Sequence, residues 1–357
     1  MATRSADVAK YVGLTRQRVM QVVRESGLKV HREANGYAIF PAETVRQFYT
    51  MKRMQFRPTV ATIGMQKGGV GKSLLTLNTA LAGAQKGARV LVVDLDPEAC
   101  ATQFLTRPEF ELNKAQTILE VIRDGLPLQK VIVPSRFDGI SFVPCRASAR
   151  RADALAINEN PATLLPEKIK KLLGSHFDLV LFDVPPNFGN LISSAYLASE
   201  VVVCPVNSDV WSLESLILTI EDITSAAKKW RCRAPTIRVV RNKVAPPQRR
   251  DRRETDVELA KEFATLLLDI SFKASSALSN AINDGISIFD AYATIELRSS
   301  FLQLFDYLCP LERIEAGASD NKRVEARAAP RSGAVSEAKA TKKITDTQRS
   351  AREARTK

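Results

Sequence analysis

The stretch Val60-Ala61-Thr62-Ile63-Gly64-Met65-Gln66-Lys67-Gly68-Gly69-Val70-Gly71-Lys72-Ser73 decides how this chain is read. Its first six residues are a short apolar run of strand type, and residues 73–82 have the pattern of a helix. Between them lie three glycines and two lysines. Glycines let backbone N–H groups converge on phosphate oxygens with no Cβ in the way. The helix N-terminus that follows adds partial positive charge. Lys72 is placed to reach the β- and γ-phosphates, and the Ser73 hydroxyl to ligate Mg²⁺. Lys67, Gly68, Gly69, Val70, Gly71, Lys72 and Ser73 are therefore the expected cradle, with ATP and Mg²⁺ as cofactors. The standard motif has a glycine where this chain has Gln66, and Lys67 is a second lysine inside the loop.

Further short runs rich in Val, Ile and Leu follow at 90–94, 140–143, 179–184, 201–206, 237–240 and 266–270. Continuous apolar runs are the pattern of strands buried on both faces, as in a parallel sheet. The intervening segments are long enough for right-handed helical crossovers. The expected fold is thus α/β: a P-loop NTPase with a mostly parallel sheet between helices.

Two of these runs end in carboxylates. In such sheets a carboxylate at the C-terminal end of a strand stands where ligands bind. Asp96 is the candidate for holding an attacking water in line with the γ-phosphate, and Asp94 for supporting the Mg²⁺ shell. Asp183 stands next to last in the run 179–184 and is placed to reach Mg²⁺ through water. Lys67, Lys72 and Asp96 form the expected catalytic set, with Ser73, Asp94 and Asp183 around the metal.

Loop and strand ends together resemble the ParA-type partitioning ATPases, whose deviant P-loop carries the extra lysine. Asp94-Leu95-Asp96-Pro97 and Asp183-Val184-Pro185-Pro186 match that family's signatures in the right order, and residues 276–292 match its C-terminal region. The resemblance covers residues 58–310. It implies a weak, partner-stimulated ATP hydrolase that forms a homodimer on ATP, with Lys67 crossing to the other subunit's phosphates. It also implies adenine contact by Asn242, non-specific DNA binding, and stimulation by a ParB-like centromere-binding protein. Leu74, Glu98 and Asn187 stand where the family usually has Thr, Gln and Ser. Leu74 removes a hydroxyl from the α-phosphate, and Glu98 adds charge near the phosphates. Both leave room for an alternative, an ATP-responsive transcriptional regulator with little turnover.

Charge points to DNA. The net charge is +13. Residues 1–57 carry +7 and residues 311–357 carry +5, so the middle is nearly neutral. Basic ends of this kind suit an anionic polymer. Within the middle, residues 228–253 hold eleven Lys/Arg against one Asp. Arg249, Arg250, Arg252 and Arg253 are the expected non-specific DNA contacts.

Residues 1–57 read as a separate module. A helix at 5–12, a Gly13-Leu14 turn and a Thr15-capped helix from Arg16 give helix-turn-helix spacing. Arg16, Gln17 and Arg18 fall at the N-terminal end of the second helix, where base contacts are made. Asn35-Gly36 predicts a hairpin, hence a wing, and residues 42–51 a closing helix. The module resembles MerR-type winged helix-turn-helix domains, which implies operator reading and repression of the chain's own operon.

Residues 311–357, dominated by Ala, Lys, Arg, Ser and Glu, are expected to be disordered. No apolar run approaches the ~20 residues of a membrane span. That and the lack of an apolar leader predict a cytoplasmic, nucleoid-associated protein without a membrane partner. Five scattered cysteines predict neither a disulfide framework nor a zinc site.

Overall fold

All the apolar runs become strands. The computed structural model describes residues 3–34, 36–147, 149–207, 209–244, 257–290 and 293–314. The N-terminal module is built from β1 (Thr3–Arg4), α1 (Ser5–Val12), α2 (Arg16–Ser26), β2 (His31–Arg32), β3 (Ala38–Phe40) and α3 (Ala42–Met51). Gly13 ends α1 with φ 63°, and the Thr15 hydroxyl caps α2 by accepting from the Arg18 N–H at 3.2 Å. Val8, Val12, Val19 and Val23 are buried, so the helix pair turns one apolar face inward. The three short strands pair antiparallel in the order β1-β3-β2.

The larger α/β region follows β4 (Met54–Phe56). Its sheet contains β5 (Thr59–Ile63), β6 (Val90–Asp94), β7 (Val133–Pro134), β8 (Ile140–Val143), β9 (Leu179–Asp183), β10 (Val201–Val206), β11 (Thr236–Val244) and β12 (Leu267–Lys273). The order is β12-β11-β10-β5-β9-β6-β8-β7, parallel throughout except for β7 on one edge. Strands β5, β6, β9 and β10 are buried along their whole length, as parallel strands covered on both faces must be. Two apolar cores cover the faces. One of them runs without a break into the N-terminal module, from Leu81 and Phe305 to Val45, Phe48 and Val8.

That continuity makes the module an integral part of the molecule. Rings step across the seam: Tyr49 to Phe56 at 5.4 Å and Phe56 to Phe305 at 5.6 Å, both edge-on. The backbone of α3 presses on Gly87, where an added Cβ would meet Arg46 N at 2.7 Å and Ala42 O at 2.8 Å. Polar contacts fix the angle. Asp138 accepts from the Ala42 N–H at 2.7 Å, and the Thr3 hydroxyl donates to Gln85 Oε1 at 2.9 Å. Asp178, just ahead of β9, is buried between two guanidinium groups, Arg46 from α3 and Arg89 from the approach to β6.

One boundary moves. The tail expected to begin at residue 311 starts with β13 (Leu311–Arg313), which pairs antiparallel with β4. Leu311 pairs with Phe56 there, and the Arg57 N–H donates to Pro310 O at 2.8 Å. Three residues are too short to announce a strand by periodicity, and their partners lie some 250 positions away. The rest of the expected tail, residues 315–357, lies outside the described residues, as do Tyr292 and the four arginines 249, 250, 252 and 253. Among the described residues no helix is long and apolar enough to cross a membrane.

Candidate functional site

The P-loop lies at the C-terminal end of central strand β5, and α4 (Lys72–Gln85) rises from it. Gly71 has φ 87° and Gly69 φ 71°, left-handed values that side chains disfavour. Lys72 is buried, and its Nζ donates to Lys67 O at 2.8 Å, folding back over the loop. Burial pulls its ammonium below the ordinary range, while Asp183, Asp96 and Glu98 act in the opposite direction. Such a charge is poised for a phosphate.

Asp94 and Asp183 stand side by side, paired in register on β6 and β9, and both are fully buried. Their surroundings differ. Asp94 Oδ2 accepts from Thr102 N at 2.8 Å and Thr102 Oγ1 at 2.7 Å, and its Oδ1 accepts from Asp96 N at 3.0 Å. With both oxygens taken, Asp94 anchors the turn that presents Asp96. Asp183 Oδ2 is buried with no hydrogen-bond donor. Burial and then the Asp94 carboxylate push the Asp183 carboxyl well above its ordinary range, against the Ser73 hydroxyl and the Lys72 charge. An unpartnered buried carboxylate oxygen next to the P-loop serine fits a hard cation with oxygen ligands, and so fits Mg²⁺. Asp96 is half-buried on the turn beyond, with Oδ1 accepting from Glu98 N at 3.0 Å. Ala99 closes that turn at φ 55°.

Lys67 does not lie over its own loop. Its Nζ donates to the Asp209 carboxylate and, at 2.8 Å, to Ser212 Oγ. Asp209 is the N-cap of the helix Val210–Lys229 and accepts from the Ser212 N–H at 2.8 Å. Burial raises the Asp209 carboxyl, but the hydrogen bonds from Lys67 and Ser212 outweigh it and hold the group below its usual range. Gln66 is tied to the same helix, through its N–H to Thr219 Oγ1 at 3.0 Å and its Nε2 to Asp222 at 2.8 Å. The residue that replaces the motif glycine is thus the loop's attachment to this helix.

On the other flank, buried Asn242 donates from Nδ2 to Val70 O at 2.6 Å, and Lys243 Nζ donates to Gly69 O at 2.7 Å. Asp209, Ser212, Thr219, Asp222 and Lys243 are absent from the sequence-derived site. Only Asp209 left a trace, as a cap three residues before Ser212. In the N-terminal module Arg16, Gln17 and Arg18 are all exposed on the first turn of α2, far along the chain from the loop. Gln21 and Arg24 are exposed further along the same helix.

Sheet order, phosphate loop and paired strand-end carboxylates define an α/β P-loop NTPase domain with a mostly parallel sheet between helices. Residues 59–232 match the family model described as an AAA domain (AAA_31). Over 159 residues the chain is 32% identical to the cell division protein PomZ of Myxococcus xanthus, covering 44% of this chain and 49% of that protein. It is 34% identical over 161 residues to the chromosome-partitioning ATPase Soj of Thermus thermophilus, covering 44% of this chain and 59% of Soj. The match therefore spans about half the length of these curated relatives. In structure, the Cyanothece McdA(D38A)–ATP complex superimposes with a TM-score of 0.62 at 21% identity, covering 70% of this chain and 95% of McdA.

Proposed function

We propose that this chain is a DNA-partitioning ATPase that binds ATP and Mg²⁺, dimerises in the ATP state, and holds DNA. The carrying observation is the pairing of the two-lysine loop with Asp183, whose unpartnered buried oxygen lies beside the P-loop serine. Backbone N–H groups from Gly68 to Ser73 and the Lys72 ammonium would hold the phosphates, and Ser73 and Asp183 the metal. Mg²⁺ would neutralise charge on the β- and γ-oxygens. Asp94 keeps the Asp96 turn in place, and Asp96 orients water toward the γ-phosphate. Asn242, on the strand beside the loop, is the candidate contact to adenine. Similarity to Soj supports partitioning as the process served.

Dimerisation is supported by Lys67 and by the apolar rim of the nucleotide face. Trp211, two residues beyond Asp209, is 71% exposed. Ile157 is 70% exposed, and its carbonyl accepts from Asn190 at 2.8 Å where the helix after β9 begins. Lys67 would leave Asp209 and engage the phosphates of the partner subunit. Lys67→Ala should spare nucleotide binding by the monomer but eliminate ATP-dependent dimers in light scattering. Dimers of normal stability would remove the trans role. Hydrolysis that no DNA or ParB-like partner stimulates would favour the alternative of an ATP-responsive regulator.

DNA is engaged at two places in this reading. The non-specific contacts come from Arg249, Arg250, Arg252 and Arg253, and operator contacts from Arg16, Gln17 and Arg18 on α2, with β2 and β3 as the wing. An Arg16→Ala/Arg18→Ala double variant should lose its footprint upstream of its own operon by about 10-fold or more, since base contacts are worth about 1–3 kcal/mol each. Non-specific binding should persist. A footprint of wild-type strength would make the module a docking element instead.

A further inference from the structure

Two donors at the end of β11 reach the outer side of the phosphate loop. The loop's N–H groups must face the phosphates, so its carbonyls point away and need partners of their own. Asn242 supplies one for Val70 O and Lys243 one for Gly69 O. The backbone there is adapted to the task. The pairing of β11 with β12 is irregular between Arg241 and Val244, and Lys243 adopts φ 51°. Bulges of this kind re-aim side chains, and a non-glycine residue held in the left-handed region marks a place where position outweighs local comfort. The fit is close: a Cβ at Gly71 would stand 2.5 Å from Asn242 Nδ2. A glycine-rich loop loses more freedom on ordering than any other segment, so external donors matter most here.

We infer that Asn242 and Lys243 are positioning residues that brace the phosphate loop from outside, acting on the triphosphate regardless of its base. The inference rests on the nucleotide-binding reading above and deepens it, because Lys243 enters the site for the first time and Asn242 gains a role independent of adenine. One net hydrogen bond corresponds to a few-fold to about 10-fold in affinity.

The test uses the full chain and two probes, ATP and inorganic tripolyphosphate, each competing against a fluorescent ATP analogue. Lys243→Met should weaken both probes by the same factor, about 3–10-fold, with the thermal midpoint of the nucleotide-free protein unchanged. Lys243→Arg, which keeps a donor, should restore most of the loss. Asn242→Asp sets an oxygen against Val70 O and should weaken both probes more than Lys243→Met does, ATP by at least as much as tripolyphosphate. The inference is overturned if Lys243→Met leaves both affinities intact, or if Asn242→Asp weakens ATP alone, which would make Asn242 a reader of the base. Failure of the wild-type chain to bind either probe would instead overturn the nucleotide-binding reading itself.

Discussion

Lys72→Ala should lower ATP affinity by about 100-fold or more in a direct titration. Lys72 is the only lysine on α4's first turn, it is 7% exposed, and its charge already leans toward Asp183 and Asp96. A charge-assisted contact is worth roughly 1.5–3 kcal/mol, and its full value is felt where water is excluded. The variant also releases Lys67 O, to which the Lys72 ammonium donates. Circular dichroism should stay native, because α4 keeps its apolar packing through Leu75, Leu77 and Leu81. Near-normal ATP affinity would show that the run 67–73 is not the phosphate site.

The second large effect concerns stability. Asp178→Ala should cost about 3 kcal/mol, the lower end of the range for breaking a buried ion pair, and lower the melting midpoint by ~6 °C. Asp178 is 3% exposed, while Arg46 and Arg89 keep 23% and 34% of their side chains in solvent and can partly rehydrate. Burial pushes the Asp178 carboxyl up, but the hydrogen bonds from Arg89 and then Arg46 more than offset it, so its folded value lies below the ordinary one. The sign follows from linkage. A depressed carboxyl contributes in full above the unfolded value of ~3.9, and loses that contribution as pH falls through the folded value. The stability gap between wild type and Asp178→Ala should therefore be flat from neutral pH to about pH 5. It should narrow only in stronger acid, and a gap that closes near neutrality would contradict the assignment.

Much of this was legible from sequence because it is local. A strand buried on both faces is an uninterrupted apolar run, so β5, β6, β9 and β10 could be read directly, and with them Asp94, Asp96 and Asp183 at their ends. The glycines and lysines of the loop are likewise contiguous. The missed features join distant parts of the chain. Gln66 finds Thr219 and Asp222, Lys67 finds Asp209, and Arg46 finds Asp178 across 132 positions. No periodicity encodes such partners. For Asn242 the resemblance implies only a contact to adenine, and its bond to Val70 O depends on β11 lying one strand from β10 in the folded sheet. β7 and β13 were missed because two or three residues cannot establish an alternation.

The ring-to-ring seam beneath α3 also decides how this chain can be taken apart in the laboratory. Cutting after Arg57 would not release a self-contained reader of DNA. It would strip Tyr49 and Phe56 from Phe305, deprive Gln85 and Asp138 of their partners, and leave β13 without a strand to pair with. A shortened protein would turn insoluble for reasons unrelated to operators, and deletion mapping would credit the missing piece with whatever the remainder could no longer do. Single exchanges on the outer side of α2 leave the seam whole, and they are the cuts from which a phenotype can be assigned.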